Sequence, residues 1–368
     1  EIHAEQTERV LVSVSRDNHT DIQAAIDTAA KRYGAVGLQV AVVENGELCD
    51  TYAYGWATRN QVSMTANHKM RVASISKVLV GISAMLLREE GIVDLDTSIG
   101  EYWGCTVKNP YHPETPISLR TLLTHTSSLA ELEAADASSI SSVKARLQGS
   151  GFTRGTPGDA AIWNYNNYGF AVLGMTLELA SNRHLDAILQ ERLFVFMSID
   201  GAFASGDIQH TELLANLYRN GGEISRAVET QKGIHIKAQP GGSGIFFAGG
   251  MTISAADLGK LVGLMAADGR YEGIQLMTEE SVRIMESRQE IPGGSYQAIP
   301  MRYRTDIYGR DGLYYHTGSA YGVFNCISYD PETGDGVVVL TVGASGVQDS
   351  NAIYSICADI SQYIYNII

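Results

Sequence analysis

The sequence predicts an α/β fold of the α+β type: an antiparallel β-sheet flanked by N- and C-terminal helices, plus a mainly helical lobe. Three observations carry this expectation. β-forming runs separated by turn residues stand near both ends of the chain, an amphipathic helical pattern lies outside each of them, and helical patterns dominate the middle.

The elements follow in order. After a polar arm, "TDIQAAIDTAAKRY" spaces Ile22, Ala25, Ile26, Ala29 and Tyr33 at helical intervals behind Thr20, which with Gln23 fits a capping box. "GLQVAVVENGELCDTYAYGWA" reads as two strands joined at Asn45-Gly46, because those residues tolerate the positive φ of a tight hairpin turn. Residues 65–226 are mainly helical, as in the pattern that begins at Ser118 and in "YGFAVLGMTLELA", which ends before Ser181-Asn182. A loop-rich stretch then leads to "AGGMTISAADLGKLVGLM", where Ser254 and Asp257 mark a helix start. "LYYHTGSAYGVFNCISYDPETGDGVVVLTVG" gives three antiparallel strands, interrupted at Gly318 and at the turn 331–336. A last helix places Ile353, Ile356, Cys357, Ile360, Ile364 and Ile367 on one face, ready to cover a sheet. The expected division is a sheet lobe from residues 1–64 and 227–368 and a helical lobe from 65–226, with a site at their junction.

Bulk properties exclude several classes. A net charge of -14 with no local cluster of Lys and Arg repels nucleic acid and anionic lipid, so no nucleic-acid partner is expected. No apolar run approaches the roughly eighteen residues of a membrane span, so no stable membrane insertion is expected. Cys49, Cys105, Cys326 and Cys357 are scattered without a C-x-x-C pair, which signals neither a disulfide framework nor zinc and predicts buried free thiols. His112, His184, His210 and His235 lack metal-ligand spacing, and no cofactor or metal is implied. The chain begins at Glu1 without methionine or signal peptide, and the expectation is that a targeting segment has been removed.

Chemistry enters with "RVASISKVLVGISAMLLREEG" at residues 71–91. Ile75, Val78, Leu79, Ile82, Met85 and Leu86 repeat at helical spacing, so Ser74 and Lys77 share one face near the N-terminus of a largely buried helix. Free N–H groups and the positive dipole end there suit an anion developing beside a serine. The spacing alone decides little, since it recurs at Ser141 and Lys144 among small polar residues that read as a solvated face. Two further motifs decide it, "YNN" at residues 165–167 and "HTG" at residues 316–318.

With these in the order S-x-x-K, Y-x-N, H-T-G, the chain resembles the serine penicillin-recognising superfamily, in its branch of class C β-lactamases, D-alanyl-D-alanine carboxypeptidases, D-aminopeptidases and related esterases. The flanking "LLTHTSSL", "YNNYGFAVLG" and "AGGMTISAADL" are also similar to that family, and the likeness spans roughly Ile22 to the C-terminus. It implies a β-lactamase/transpeptidase-like fold and a serine hydrolase that forms an acyl-enzyme. Ser74 would be the nucleophile, with Lys77 and Tyr165 as alternative proton acceptors. Charge beside Tyr165 would favour its phenolate and burial a neutral amine at Lys77.

Asn167 would orient Lys77 and hold a substrate amide, and the oxyanion would lie between the backbone N–H groups of Ser74 and Ser319. His316, as a partly protonated cation, and Thr317 would grip a substrate carboxylate, more weakly as pH rises. Gly318 would let a substrate backbone come close. Serine or alanine is commoner at the middle of Y-x-N, so Asn166 bears on fine specificity.

The H-T-G motif is closer to D-alanyl carboxypeptidases than to typical β-lactamases, which points to a penicillin-binding-protein-like peptidase or amidase of carboxypeptidase or D-aminopeptidase type, taking a small peptide, β-lactam or ester. The alternatives are a β-lactamase or carboxylesterase of the same family, and a penicillin-sensing binding domain without turnover. The resemblance also implies a place outside the cytoplasmic membrane of a bacterium, and it leaves the oligomeric state open. By composition alone Tyr165, beside Trp163 and Tyr168, reads as a packed aromatic. His125 in "THTSS" has no G-x-S-x-G partner motif and reads as a structural histidine, while "PGGSGIFFAGG" reads as a flexible loop near the cleft.

Overall fold

A computed structural model describes residues 18–368, so the polar arm and the start of the chain lie outside the described residues. The chain enters through helix α1 (His19–Tyr33), followed by strands β1 (Gly37–Glu44), β2 (Glu47–Thr58) and the short β3 (Val62–Ser63). The hairpin between β1 and β2 turns where expected, with Asn45 at φ 49° and Gly46 at φ 78°. The capping box at Thr20 does not form. The helix starts two residues earlier, at His19 behind Asn18, and Gln23 is spent on Asp27 Oδ1 and on the carbonyl of Ala53 in β2.

Six more strands complete one antiparallel sheet: β4 (Gln289–Ile291), β5 (Ser295–Gln297), β6 (Arg302–Ile307), β7 (Arg310–Ala320), β8 (Val323–Tyr329) and β9 (Gly336–Val342). Their order is β4-β5-β6-β7-β8-β9-β1-β2-β3, so β9 pairs with β1, with Val40 opposite Val339. The two ends of the chain thus build one sheet, as the sequence predicts. The strands 289–307 were not expected, being short and rich in Arg, Tyr and Gln rather than in apolar alternation.

The central strands are buried on both faces. From β1, Leu38, Val40 and Val42 meet Ile22 and Ile26 of α1 and Ile356, Ile360 and Ile364 of the last helix. Ala41 and Val43 point the other way, into a cluster that continues through Leu258 and Leu261 to Leu79 and Ile82. Each large apolar side chain buried this way contributes about 1.5–3 kcal/mol. The terminal helix spans Ser355–Tyr365; Ile353 is buried just ahead of it, but Ile367 falls beyond its end and is exposed.

Helix α2 (Ser76–Glu89) is buried from Ser76 to Leu87 and packs against helix α3 (Asn167–Ser181). The helix capped by Ser254, whose side chain accepts from the N–H of Asp257, spans Ala255–Ala266 as expected. Ser141 and Lys144 lie on a short surface helix, Ile140–Leu147. Among the described residues, no helix is long and apolar enough to cross a membrane. Cys105, Cys326 and Cys357 are free thiols; Cys326 and Cys357 are buried, Cys49 and Cys105 half-buried.

Candidate active site

The segment before α2 is anchored first. The two-residue strand Met70–Arg71 pairs with Thr252–Ile253, and the N–H of Val72 donates to Met251 O at 2.9 Å. Ala73 then adopts a left-handed backbone, φ 52°, which a residue with a Cβ rarely does without outside constraint. Its consequence is a tight 3₁₀ turn, Ala73–Ile75, that carries Ser74 two residues ahead of α2 and leaves it half-buried. Ser76 locks the turn by donating to Ala73 O and accepting from the N–H of Met251.

One helical step on, Lys77 is fully buried, and its Nζ lies 3.0 Å from Ser74 Oγ, 2.8 Å from Asn167 Oδ1 and 2.8 Å from Ala248 O. Burial without a carboxylate partner pushes its pKa well below the usual lysine range. Tyr165 brings its ring centroid within 4.8 Å of that amine. Burial raises its phenol to about 12, against a pull downward from its hydrogen bond with the Ser74 side chain. Of the two proton acceptors left open by the sequence, burial therefore weighs against a phenolate at Tyr165, because desolvation outweighs charge there.

The opposite wall is the end of β7. Strand β6 pairs with β7 only as far as Tyr315, opposite Arg302, so the β6-facing edge of residues 316–320 is open to the cavity. His316 is buried, its Nδ1 bonded to Thr317 O at 2.7 Å, and burial with Lys77 nearby lowers its pKa to about 3. It is neutral near neutrality, which removes the expected cation. Gly318 is required by the chain's own packing: a Cβ there would stand 2.3 Å from Val72 O and 3.3 Å from Ser74 N. Thr317 is half-buried, and Ser319 is exposed at the cavity edge.

The cavity between these walls holds about 330 Å³. A larger groove of about 620 Å³ between α1 and the C-terminal helix contains none of the motif residues. The structure brings Ser74, Tyr165, His316, Thr317, Gly318 and Ser319 to the cavity wall, with Lys77 and Asn167 behind Ser74. Asn166 faces away: buried, it caps α3 by accepting from the N–H of Gly169 and donates to Leu129 O, so its work is structural.

Residues that motif reading missed complete the wall. Arg302 and Arg304, two apart on β6, line it, with Arg302 4.9 Å over the ring of Trp163 and Arg304 Nε donating to Tyr315 Oη. Their i, i+2 spacing within "MRYRT" was the available signal. Ala248 comes from the glycine-rich loop and serves Lys77 through its carbonyl, which no side-chain motif records.

A serine whose hydroxyl faces a buried amine beside an open strand edge defines a serine-hydrolase class of site. The chain belongs to the β-lactamase family, whose model, described as Beta-lactamase, matches residues 22–356. Over 345 residues it is 24% identical to penicillin-binding protein 4 of Amycolatopsis lactamdurans, covering 90% of this chain and 87% of that one. Its fold is that of the D-amino acid amidase from Ochrobactrum anthropi SV3 (TM-score 0.72, 22% identity, 96% and 98% of the two chains). The β-lactamase/D-alanine carboxypeptidase from Pseudomonas syringae shares it too (TM-score 0.73, 17% identity, 94% and 98%).

Proposed function

We propose that Ser74 is acylated by the substrate and deacylated by water, and that the protein is a penicillin-binding-protein-like peptidase or amidase for short substrates ending in a D-residue with a free carboxylate. The observation that carries this reading is the environment of Lys77. A neutral amine has two N–H groups, matched by Asn167 Oδ1 and Ala248 O, and one lone pair, which leaves Ser74 Oγ–H as the proton it takes.

In this reading the proton moves from Oγ to Nζ as Oγ bonds to the carbonyl carbon. The oxyanion rests between the N–H groups of Ser74 and Ser319, donors each worth on the order of 3 kcal/mol of barrier. The C–N bond then breaks, the departing amine takes the Tyr165 proton, and the Lys77 ammonium restores it. Water then attacks the ester, its proton passing to Lys77 and on to Ser74 Oγ as the acid leaves. Thr317 and the open edge of residues 316–320 hold the substrate backbone, as an added strand would be held.

The preference for a carboxylate is supported by Arg302 and Arg304, which bring positive charge to the cavity where His316 brings none. The D-configuration is supported by the resemblance of the H-T-G strand to D-alanyl carboxypeptidases. The same reading keeps residues 65–226 as one lobe and the sheet-bearing segments as the other, with the site at their junction, and assigns the protein to the outside of a bacterial cytoplasmic membrane.

A panel of a D-Ala-D-Ala peptide, its C-terminal carboxamide, a p-nitrophenyl ester and a chromogenic cephalosporin tests it. Release of D-alanine from the free acid at least tenfold faster than cleavage of the carboxamide is expected. Faster cephalosporin turnover would make the protein a β-lactamase, and labelling without turnover a sensor.

A further inference from the structure

His125 belongs to none of the motifs, yet it bonds to the chain on both sides of Tyr165. Its own backbone is left-handed, φ 56°, an unusual conformation for a residue with a Cβ. That twist lets its carbonyl accept from the N–H of Asn164 at 3.0 Å while its Nδ1 accepts from the N–H of Asn166, also at 3.0 Å. The imidazole in turn lies against the phenol ring, with centroids 4.6 Å apart, and against Phe170 at 4.9 Å.

The remaining nitrogen is the telling one. Because Nδ1 accepts, a neutral ring carries its proton on Nε2. Burial, with Lys77, His316 and Arg302 nearby, keeps the ring neutral. Nε2 is itself buried and has no hydrogen-bond partner among the described residues, in a side chain that lines the cavity wall. Buried polar atoms of purely structural residues are almost always paired. Here the ring's one hydrogen bond goes to the residue that follows Tyr165.

We propose that His125 is the positioning residue for Tyr165, holding the phenol at Ser74 by pinning the backbone on either side and stacking on the ring. This rests on the reading of Tyr165 as the proton donor to the departing amine. It makes a prediction that a fold-supporting role does not. A p-nitrophenolate leaves without needing a proton, whereas an amine cannot. Loss of Tyr165 positioning therefore slows amides far more than p-nitrophenyl esters.

The experiment compares kcat and KM of wild type, His125→Leu, His125→Asn, Tyr165→Phe and the Tyr165→Phe/His125→Leu double variant on a matched amide and p-nitrophenyl ester. For His125→Leu, kcat on the amide is expected to fall about thirtyfold or more, with ester kcat within about threefold and KM little changed. His125→Asn, which keeps an acceptor near the Nδ1 position, recovers most of the amide rate. The double variant is no slower than Tyr165→Phe alone.

If His125→Leu does not fold, His125→Gln, which lacks that acceptor, takes its place. Equal losses on ester and amide, multiplied losses in the double variant, or an unaffected amide rate would overturn the proposal. Ser74→Ala run alongside separates the two readings: surviving turnover there sinks the acyl-enzyme itself, while a dead Ser74→Ala beside a normal His125→Leu sinks only the positioning role.

Discussion

At Lys77, burial decides what charge alone would not. Among the described residues the amine sits beside no carboxylate, and an ammonium there would be costly to keep. In the proposed mechanism activity is carried by the neutral amine, so kcat/KM is expected to rise with pH through the lysine's titration and level off well below its ordinary 10.5. Tyr165, raised to about 12, adds no alkaline fall below that value. His316, held near 3, contributes no change of charge between pH 5 and 8, so KM for a carboxylate substrate is flat across that range. A KM that climbs through pH 6 to 7 would return the carboxylate to His316. Arg302→Gln is expected instead to raise KM for the free acid about tenfold and leave the carboxamide unchanged, the scale of one charge-assisted hydrogen bond. Gly318→Ala drives a methyl into Val72 O and displaces the Ser319 donor, so acylation should slow about a hundredfold in stopped-flow measurements while the protein remains folded.

Among the elements, β7 and α3 do the positioning. The end of β7 pairs with β8 but has no strand on its β6 side, because β6 begins only at Arg302, and that open edge is what a substrate backbone can bond to. Helix α3 presents Asn167 in its first turn, directly after the Asn166 cap. Asn166→Ala removes the cap and the bond to Leu129 O, and chemical denaturation should show a loss of about 1–2 kcal/mol. These elements differ in how readable they were. The hairpin at Asn45-Gly46 and the runs around β7, β8 and β9 carry strong local signals, turn residues and dense β-branched side chains, and three antiparallel strands form as expected, except that β7 continues through Gly318 to Ala320 and the break expected there falls at Tyr321-Gly322, φ 53° and 87°. Strands of three to six residues rich in Arg, Tyr and Gln give no such period, which hid β4, β5 and β6 along with both arginines. Asn166 looked like part of a binding motif, but its amide is consumed by a helix end that only the folded chain defines.

For the molecule as a whole, the ordered motifs announced which residues meet, since S-x-x-K, Y-x-N and H-T-G do converge on one cavity. What they could not announce is the degree of burial, a property of the packed chain, and it is burial that makes His316 neutral and keeps Tyr165 a phenol. The same desolvation acts away from the site. Asp186 accepts from the N–H of Phe203, and burial raises its carboxyl from 3.8 to about 7. The native state therefore holds a proton that the unfolded chain releases between those values, so this group's contribution to stability falls as pH rises through that window. Asp186→Asn should lose less stability than wild type between pH 5 and 8 in denaturant titrations, and an equal loss would place the effect elsewhere. The nucleophile itself is open to inspection by mass spectrometry of the protein acid-quenched during turnover of a p-nitrophenyl ester. The acyl group is expected on the peptide bearing Ser74, accumulating faster as pH rises through the Lys77 titration. An acyl group on any other residue, or one whose formation ignores that titration, would contradict the mechanism.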